Sequence, residues 1–182
     1  MTLHRSFGAV VDVRTRVLIL GSLPGVRSLA AAEYYAHPSN AFWTLLGTVL
    51  DRDLRALTYD ARLTAVLDAG VGLWDVVAAA RRQGSLDSAI RAPELHDLAG
   101  LLRELPALNA VAFNGQTAAA LARRQRIKFG SIAQIELPSS SAAYTLPVAV
   151  KVAAWSVERA AELSPVKSSI QSLILPGFAE HQ

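Results

Sequence analysis

The sequence predicts an α/β domain in which a short, mainly parallel sheet is covered by helices on both faces. Three observations carry that expectation. Short apolar, β-branched runs alternate with segments whose apolar residues recur at three- and four-residue spacing. Such alternation implies parallel strands joined by right-handed crossovers. The 182 residues, 52% of them apolar, suffice for one core at the roughly 150 residues usual for a domain. No linker or internal repeat divides the chain, so residues 1–163 read as a single domain and 164–182, which lack periodicity, as a loosely attached tail.

Residues 16–20, RVLIL, form the first strand and end at Gly21, with Pro24 and Gly25 marking a tight loop. A helix is expected over 39–50, where Phe42, Leu45, Leu46 and Val49 share a face, and another over 60–69, stopped by Gly70. Residues 71–77, VGLWDVV, read as a short strand or buried turn. Pro93 and Pro106 bracket a helix expected over 93–105. The pattern then repeats: a strand at 110–113 punctuated by Asn114-Gly115, an alanine-rich helix over 116–126, a strand at 132–137 ending in Pro138-Ser139-Ser140-Ser141, and a last helix over 148–163.

Composition removes whole classes of chemistry. With no cysteine there are no disulfides, thiolate metal sites, iron–sulfur clusters or thiol nucleophiles. The four histidines, His4, His37, His96 and His181, lack close metal-ligand spacing, so neither a bound metal nor another cofactor is expected. Net charge is +3 with a pI near 9.6, and the cations are mostly arginines, which suit bidentate phosphate contacts as well as a solvated surface. No apolar run approaches the roughly 20 residues of a membrane span, and the N-terminus has no signal-like core, so a cytoplasmic location is expected.

In folds of this class ligands bind beyond the carboxyl ends of the strands. That rule selects three loops: 21–40, 114–115 and 138–144. GSLPG at 21–25 lacks the glycine spacing of a dinucleotide fold, the Lys-Ser/Thr pair of a P-loop and the elbow of a serine hydrolase. Residues 34–43, YYAHPSNAFW, gather aromatic and amide side chains of the kind that stack on and hydrogen-bond a planar ligand. Phe42 and Trp43 fall on the helical pattern and belong to the core, whereas Tyr34 and Tyr35 precede it.

Taken in order, Gly21-Ser-Leu-Pro-Gly25, Ser28-Leu29, Tyr34-Tyr35-Ala-His-Pro-x-Asn-x-Phe-Trp43, Gly72-Leu-Trp-Asp-Val76, Gly84-Ser-Leu-Asp-Ser88, Phe113-Asn-Gly115 and Leu137-Pro-Ser-Ser-Ser141 resemble the uracil-DNA glycosylase superfamily, most of all its hypoxanthine-DNA (deoxyinosine) glycosylase branch. The resemblance runs from about residue 17 to 163. It implies a three-layer α/β/α sandwich with the parallel sheet at its centre. It also implies a monofunctional DNA-repair enzyme that flips a deaminated base, most of all hypoxanthine, out of DNA and hydrolyses its N-glycosidic bond, working as a monomer without a cofactor. A mismatch-type uracil glycosylase and a non-catalytic nucleic-acid-binding relative are the alternatives.

Site roles follow residue by residue from the resemblance. Where mismatch-type relatives carry a water-positioning asparagine in the first motif, this chain has Leu23, and the hypoxanthine branch assigns the catalytic role to the position of Asn40; the residues alone also allow Asn40 to cap the following helix. Asn114 matches the reader of the flipped base's polar edge, with a helix cap as its other role. Tyr35 matches the aromatic that stacks on the base, and Ser22 lines the same pocket. Pro24, Gly25, Ser139, Ser140, Ser141 and Tyr144 fall on the segments that grip DNA, although the branch's Leu-Pro-Ser-Thr-Ser-Pro-Ala-Asn reads here as Leu137-Pro-Ser-Ser-Ser-Ala-Ala-Tyr144. Tyr144 either intercalates or packs on the last helix. Asp75 is a general base or the cap of a helix over 76–82, and His37 supports the leaving base or holds the Pro38 turn. Arg123, Arg124 and Arg126 reach DNA backbone or serve the dipole of their helix. Lys128, Lys151 and Lys167 match no family nucleophile.

Overall fold

The computed structural model describes residues 1–156. In chain order its elements are β1 (Thr2–Arg5), β2 (Val17–Gly21), α1 (Val26–Ala31), α2 (Phe42–Val49), α3 (Tyr59–Asp68), β3 (Val71–Asp75), β4 (Val77–Arg82), β5 (Arg91–Leu95), α4 (Leu98–Arg103), β6 (Ala110–Asn114), α5 (Gln116–Arg124), β7 (Ala133–Leu137) and α6 (Val148–Ser156). Short 3-10 turns stand at Leu54–Ala56 and Asp87–Ala89. The expected tail, 164–182, and the end of the expected last helix lie outside the described residues.

A four-stranded sheet, ordered β3-β2-β6-β7 and parallel throughout, forms the centre. Strand β2 is buried along its whole length, which is why RVLIL reads as a continuous apolar run instead of alternating with polar residues. Its side chains divide the core by the two-residue strand period. Val17 and Ile19 join Phe42, Leu45, Leu46, Val66 and Trp155 on one face, while Leu18 and Leu20 join Leu98, Val111, Phe113, Ala118 and Leu121 on the other. The result is the three-layer α/β/α sandwich expected.

A second sheet, β1-β4-β5, is antiparallel. It corrects two expectations. Residues 77–82, expected as a helix, are strand β4, so Asp75 caps nothing. The helix-favouring run of alanines is overridden because β1 pairs with it register for register, Thr2 opposite Arg82 and Arg5 opposite Ala79. The helix expected over 93–105 begins only at Leu98, where the Asp97 carboxylate accepts from the Gly100 N–H at 2.8 Å. Pro93 lies instead in β5, a strand paired on one side only, where its missing N–H costs no ladder bond. Among the described residues no helix is long and apolar enough to cross a membrane.

Candidate active site

All four parallel strands end on one side of the sheet, at Gly21, Asp75, Asn114 and Leu137. The loops that leave them, with residues 85–88 of the β4–β5 connection, enclose a cavity of about 590 Å³. Ser22, Pro24, Gly25, Tyr35, His37, Asn40, Asp75, Asn114, Ser139, Ser140, Ser141 and Tyr144 all line it, so residues singled out from separate stretches of sequence meet in one place.

Asn40 both holds the start of α2 and faces the cavity. Its Oδ1 accepts from the Phe42 N–H at 3.0 Å, fixing the rotamer at the start of α2, and the half-buried side chain still faces the cavity with its other lone pair and Nδ2 outside that bond. His37 is exposed, and its Nδ1 accepts from the Ser39 N–H at 3.2 Å, which holds the Pro38 turn at the cavity rim. Leu23 is buried in the apolar cluster around Leu18 and Leu20.

The two tyrosines separate. Tyr34 is a core pillar: its hydroxyl donates to the Gly8 carbonyl at 3.1 Å, and its own carbonyl accepts from Trp43 Nε1 at 3.2 Å. Tyr35 stacks on Phe42, centroids 3.6 Å apart, so stacking on a ligand uses its opposite face. Its backbone is left-handed, with φ of 55°, a conformation that costs a non-glycine residue and turns the ring inward. The hydroxyl is buried without a hydrogen-bond partner, beside Asp75, Asp87 and Asn114. A Cβ on Gly21 would overlap the Asp75 carboxylate and stand 3.1 Å from this hydroxyl, so only glycine fits there.

Asp75 is 3% exposed and accepts from the Ser6 hydroxyl at 2.8 Å. Burial, reinforced by the neighbouring Asp87, outweighs that bond and Arg82 and pushes its carboxyl up to about 7. Asn114 is no helix cap: Gly115, at φ of 100°, opens α5 without a side-chain bond. Instead Asn114 Nδ2 donates to Ser140 Oγ at 2.9 Å and its Oδ1 accepts from the Ser140 N–H at 2.8 Å. Ser140 is thereby turned inward, while Ser139 and Ser141 stay half-buried. Tyr144 is exposed, with Lys151 Nζ 5.3 Å above its ring, and that same ammonium donates to the Ser141 carbonyl at 2.9 Å. Arg123 forms an ion pair with Glu136.

Three groups lacked a role in the sequence. Ser22 donates to Asp87 Oδ1 at 2.6 Å, and Asp87 lines the cavity from within the Gly84–Ser88 segment quoted above. Arg82, fully buried, reaches behind the GSLPG loop to the Leu23 carbonyl at 3.4 Å and to the Pro24 carbonyl. Arg27 is an exposed cation at the cavity mouth. Among the described residues no group of three or more His, Asp or Glu side chains comes together to hold a metal.

The profile of the Uracil DNA glycosylase superfamily matches residues 7–160. The chain belongs to that superfamily. It is therefore a DNA glycosylase, an enzyme that hydrolyses N-glycosyl bonds, with DNA as its substrate. It is 40% identical over 116 residues to a protein of Methanosarcina acetivorans named hypoxanthine DNA glycosylase, an overlap of 64% of this chain and 73% of the relative. A second hypoxanthine DNA glycosylase, from Methanosarcina barkeri, is 42% identical over 112 residues, 62% of this chain and 71% of that one. A solution NMR structure of a candidate uracil DNA glycosylase from Methanosarcina acetivorans superposes with a TM-score of 0.70 at 38% identity, covering 78% of this chain and 87% of the other.

Proposed function

We propose that the glycosylase excises hypoxanthine, hydrolysing the N-glycosidic bond of a deoxyinosine flipped into the cavity and leaving an abasic site. The observation that carries this reading is the meeting of Asn40, Tyr35, Asp75 and Asn114 in one cavity large enough for a purine. As the bond breaks, the sugar gains oxocarbenium character and the base leaves with negative charge, so the site must present a placed water on one side and donors on the other. Asn40 holds the water through its second Oδ1 lone pair, in a rotamer already fixed by the Phe42 N–H. Asp75, poised near 7, takes the proton that water loses. Asn114 turns its remaining amide N–H to the base, Tyr35 presents its free ring face to it, and His37 supports the leaving base from the rim. Gly25 offers its backbone N–H and Ser139 and Ser141 their hydroxyls to phosphate, Pro24 shapes the loop beside them, and Tyr144 is the wedge.

Uracil is the second reading, because the matching superfamily and the NMR structure both carry that base in their descriptions. End-labelled duplexes carrying one deoxyinosine or one deoxyuridine, each incubated with excess purified protein, decide between them. Alkali-labile breaks at deoxyinosine are expected, and without alkali the strands stay whole, since among the described residues no lysine lines the cavity. Cleavage at deoxyuridine alone overturns the base assignment. Intact strands from both overturn the activity.

A further inference from the structure

We propose that Asp87 selects the base by accepting a hydrogen bond from the lactam N–H that deaminated bases carry and their parent bases lack. Hypoxanthine at N1 and uracil at N3 present an N–H where adenine and cytosine present a lone pair. A carboxylate opposite that edge pairs with the first two and faces the second two with an unpaired, repelling acceptor, a mismatch that a desolvated site penalises heavily. The proposal rests on the glycosylase reading above and deepens it: Asp87 defines the deaminated class, leaving purine against pyrimidine to the shape of the cavity.

Asp87 opens the turn Asp87–Ala89 in the connection between β4 and β5 and lines the cavity beside Ser22, the residue that follows the end of β2. The Ser22 hydroxyl, itself buried, donates to Oδ1 at 2.6 Å and sets the orientation of the carboxylate. The connection is fastened to the mouth of the cavity by Ser85 Oγ, which accepts from the Val26 N–H at 3.0 Å. Behind it Arg82 favours the charged carboxylate through space while its own N–H groups go to the Leu23 and Pro24 carbonyls, so the guanidinium does not take up the carboxylate oxygens. Burial works in the opposite direction and prevails, holding the carboxyl above its ordinary value against the Ser22 hydrogen bond and the charge of Arg82. The other polar groups of the cavity are differently committed: both ends of the Asn114 amide engage Ser140, and the Tyr35 hydroxyl is buried without a partner. A half-buried acceptor lining the same cavity as an unsatisfied hydroxyl is a site built for a ligand edge that carries both a donor and an acceptor, as a lactam does.

The test compares wild type with Asp87→Ala in single-turnover cleavage of duplexes holding deoxyinosine or 1-methyldeoxyinosine, in which the N–H is replaced. Wild type is expected to favour deoxyinosine by about a hundredfold or more, and Asp87→Ala to narrow that ratio at least tenfold while binding a duplex with an abasic-site analogue at wild-type affinity. A wild-type ratio in Asp87→Ala overturns the proposal. Wild type that cuts neither deoxyinosine nor deoxyuridine overturns the glycosylase reading and the proposal with it, so the two failures are told apart by the wild-type control. Should Asp87→Ala fail to fold, Ser22→Ala keeps the carboxylate and removes its orienting hydroxyl. It should narrow the ratio about threefold to tenfold, and an unchanged ratio overturns the proposal.

Discussion

The strand ends of the parallel sheet and the β4–β5 unit beside them build one cavity from different materials. On the sheet side each group is set by register: Gly21 pairs with Asp75, and Asn114 with Leu137, so their relative positions follow from backbone ladders. On the β4–β5 side the polar groups sit on a short connection held by a few side-chain bonds, Ser22 to Asp87 and Val26 to Ser85, with Arg82 behind. Ladders position atoms tightly and cannot be altered singly, which suits bond-breaking; a stitched connection can change residue by residue, which suits selection.

If that division holds, variants of the groups that act on the reacting water, Asn40 and Asp75, lose rate on every substrate. Asn40→Ala is the largest case. We expect single-turnover cleavage to fall by on the order of a hundredfold with duplex affinity nearly unchanged, the cost of losing one preorganised group that acts on the reacting water. Cleavage at the wild-type rate would move the catalytic role elsewhere in the cavity. Arg82→Ala strikes the other side through the fold: the Leu23 and Pro24 carbonyls lose a charged donor inside the protein, which costs about 2 to 3 kcal/mol. Denaturant titration measures it, and a loss under about 0.5 kcal/mol, the range of an ordinary surface substitution, would show that the guanidinium is dispensable to the GSLPG loop.

How much was readable in advance follows the same line. Strands β2, β6 and β7 and helices α2, α3 and α5 announce themselves by local periodicity and by Gly and Pro punctuation, and Asn40, Tyr35 and Asn114 lie in loops that strand-end position and the family resemblance both select. Strand β4 does not announce itself, because VAAARR is strand only through pairing with residues about 77 positions away at β1. Asp87 went without a role for a related reason: nothing near it in sequence says that Ser22, 65 residues earlier, will donate to it. The double role of Asn40 was hidden differently, since capping and facing the cavity are exclusive in a sequence argument and compatible in three dimensions.

Asp75 joins the two sides, and its titration gives a third break point. Its folded carboxyl stands near 7 against an ordinary 3.8 because it is buried. Between those values the folded chain holds a proton that the unfolded chain has released, so this group lowers stability as pH rises through the window and contributes no further slope above it. Asp75→Asn removes that dependence. The melting temperature of wild type should therefore fall more steeply than that of the variant between about pH 4 and 7, with a difference worth a few kcal/mol at most. Parallel curves would mean that Asp75 is ionised in the fold and reaches solvent.

The smallest expected effect concerns the loop that completes the cavity opposite the β4–β5 unit. Lys151 is buried, its ammonium spent on the Ser141 carbonyl at 2.9 Å and on the Tyr144 ring, and burial lowers its pKa. We therefore expect it to act on DNA through the loop and not by touching phosphate itself. Lys151→Met keeps the apolar stem and removes the tether, so duplex affinity should weaken about threefold to fivefold while cleavage at saturating protein is unchanged. Salt separates the two mechanisms. A lysine that neutralised a phosphate would, on removal, flatten the dependence of log affinity on log salt by about one unit, whereas loss of an internal tether leaves that slope as it was. A flattened slope would put Lys151 on the DNA and make the 139–144 loop self-supporting.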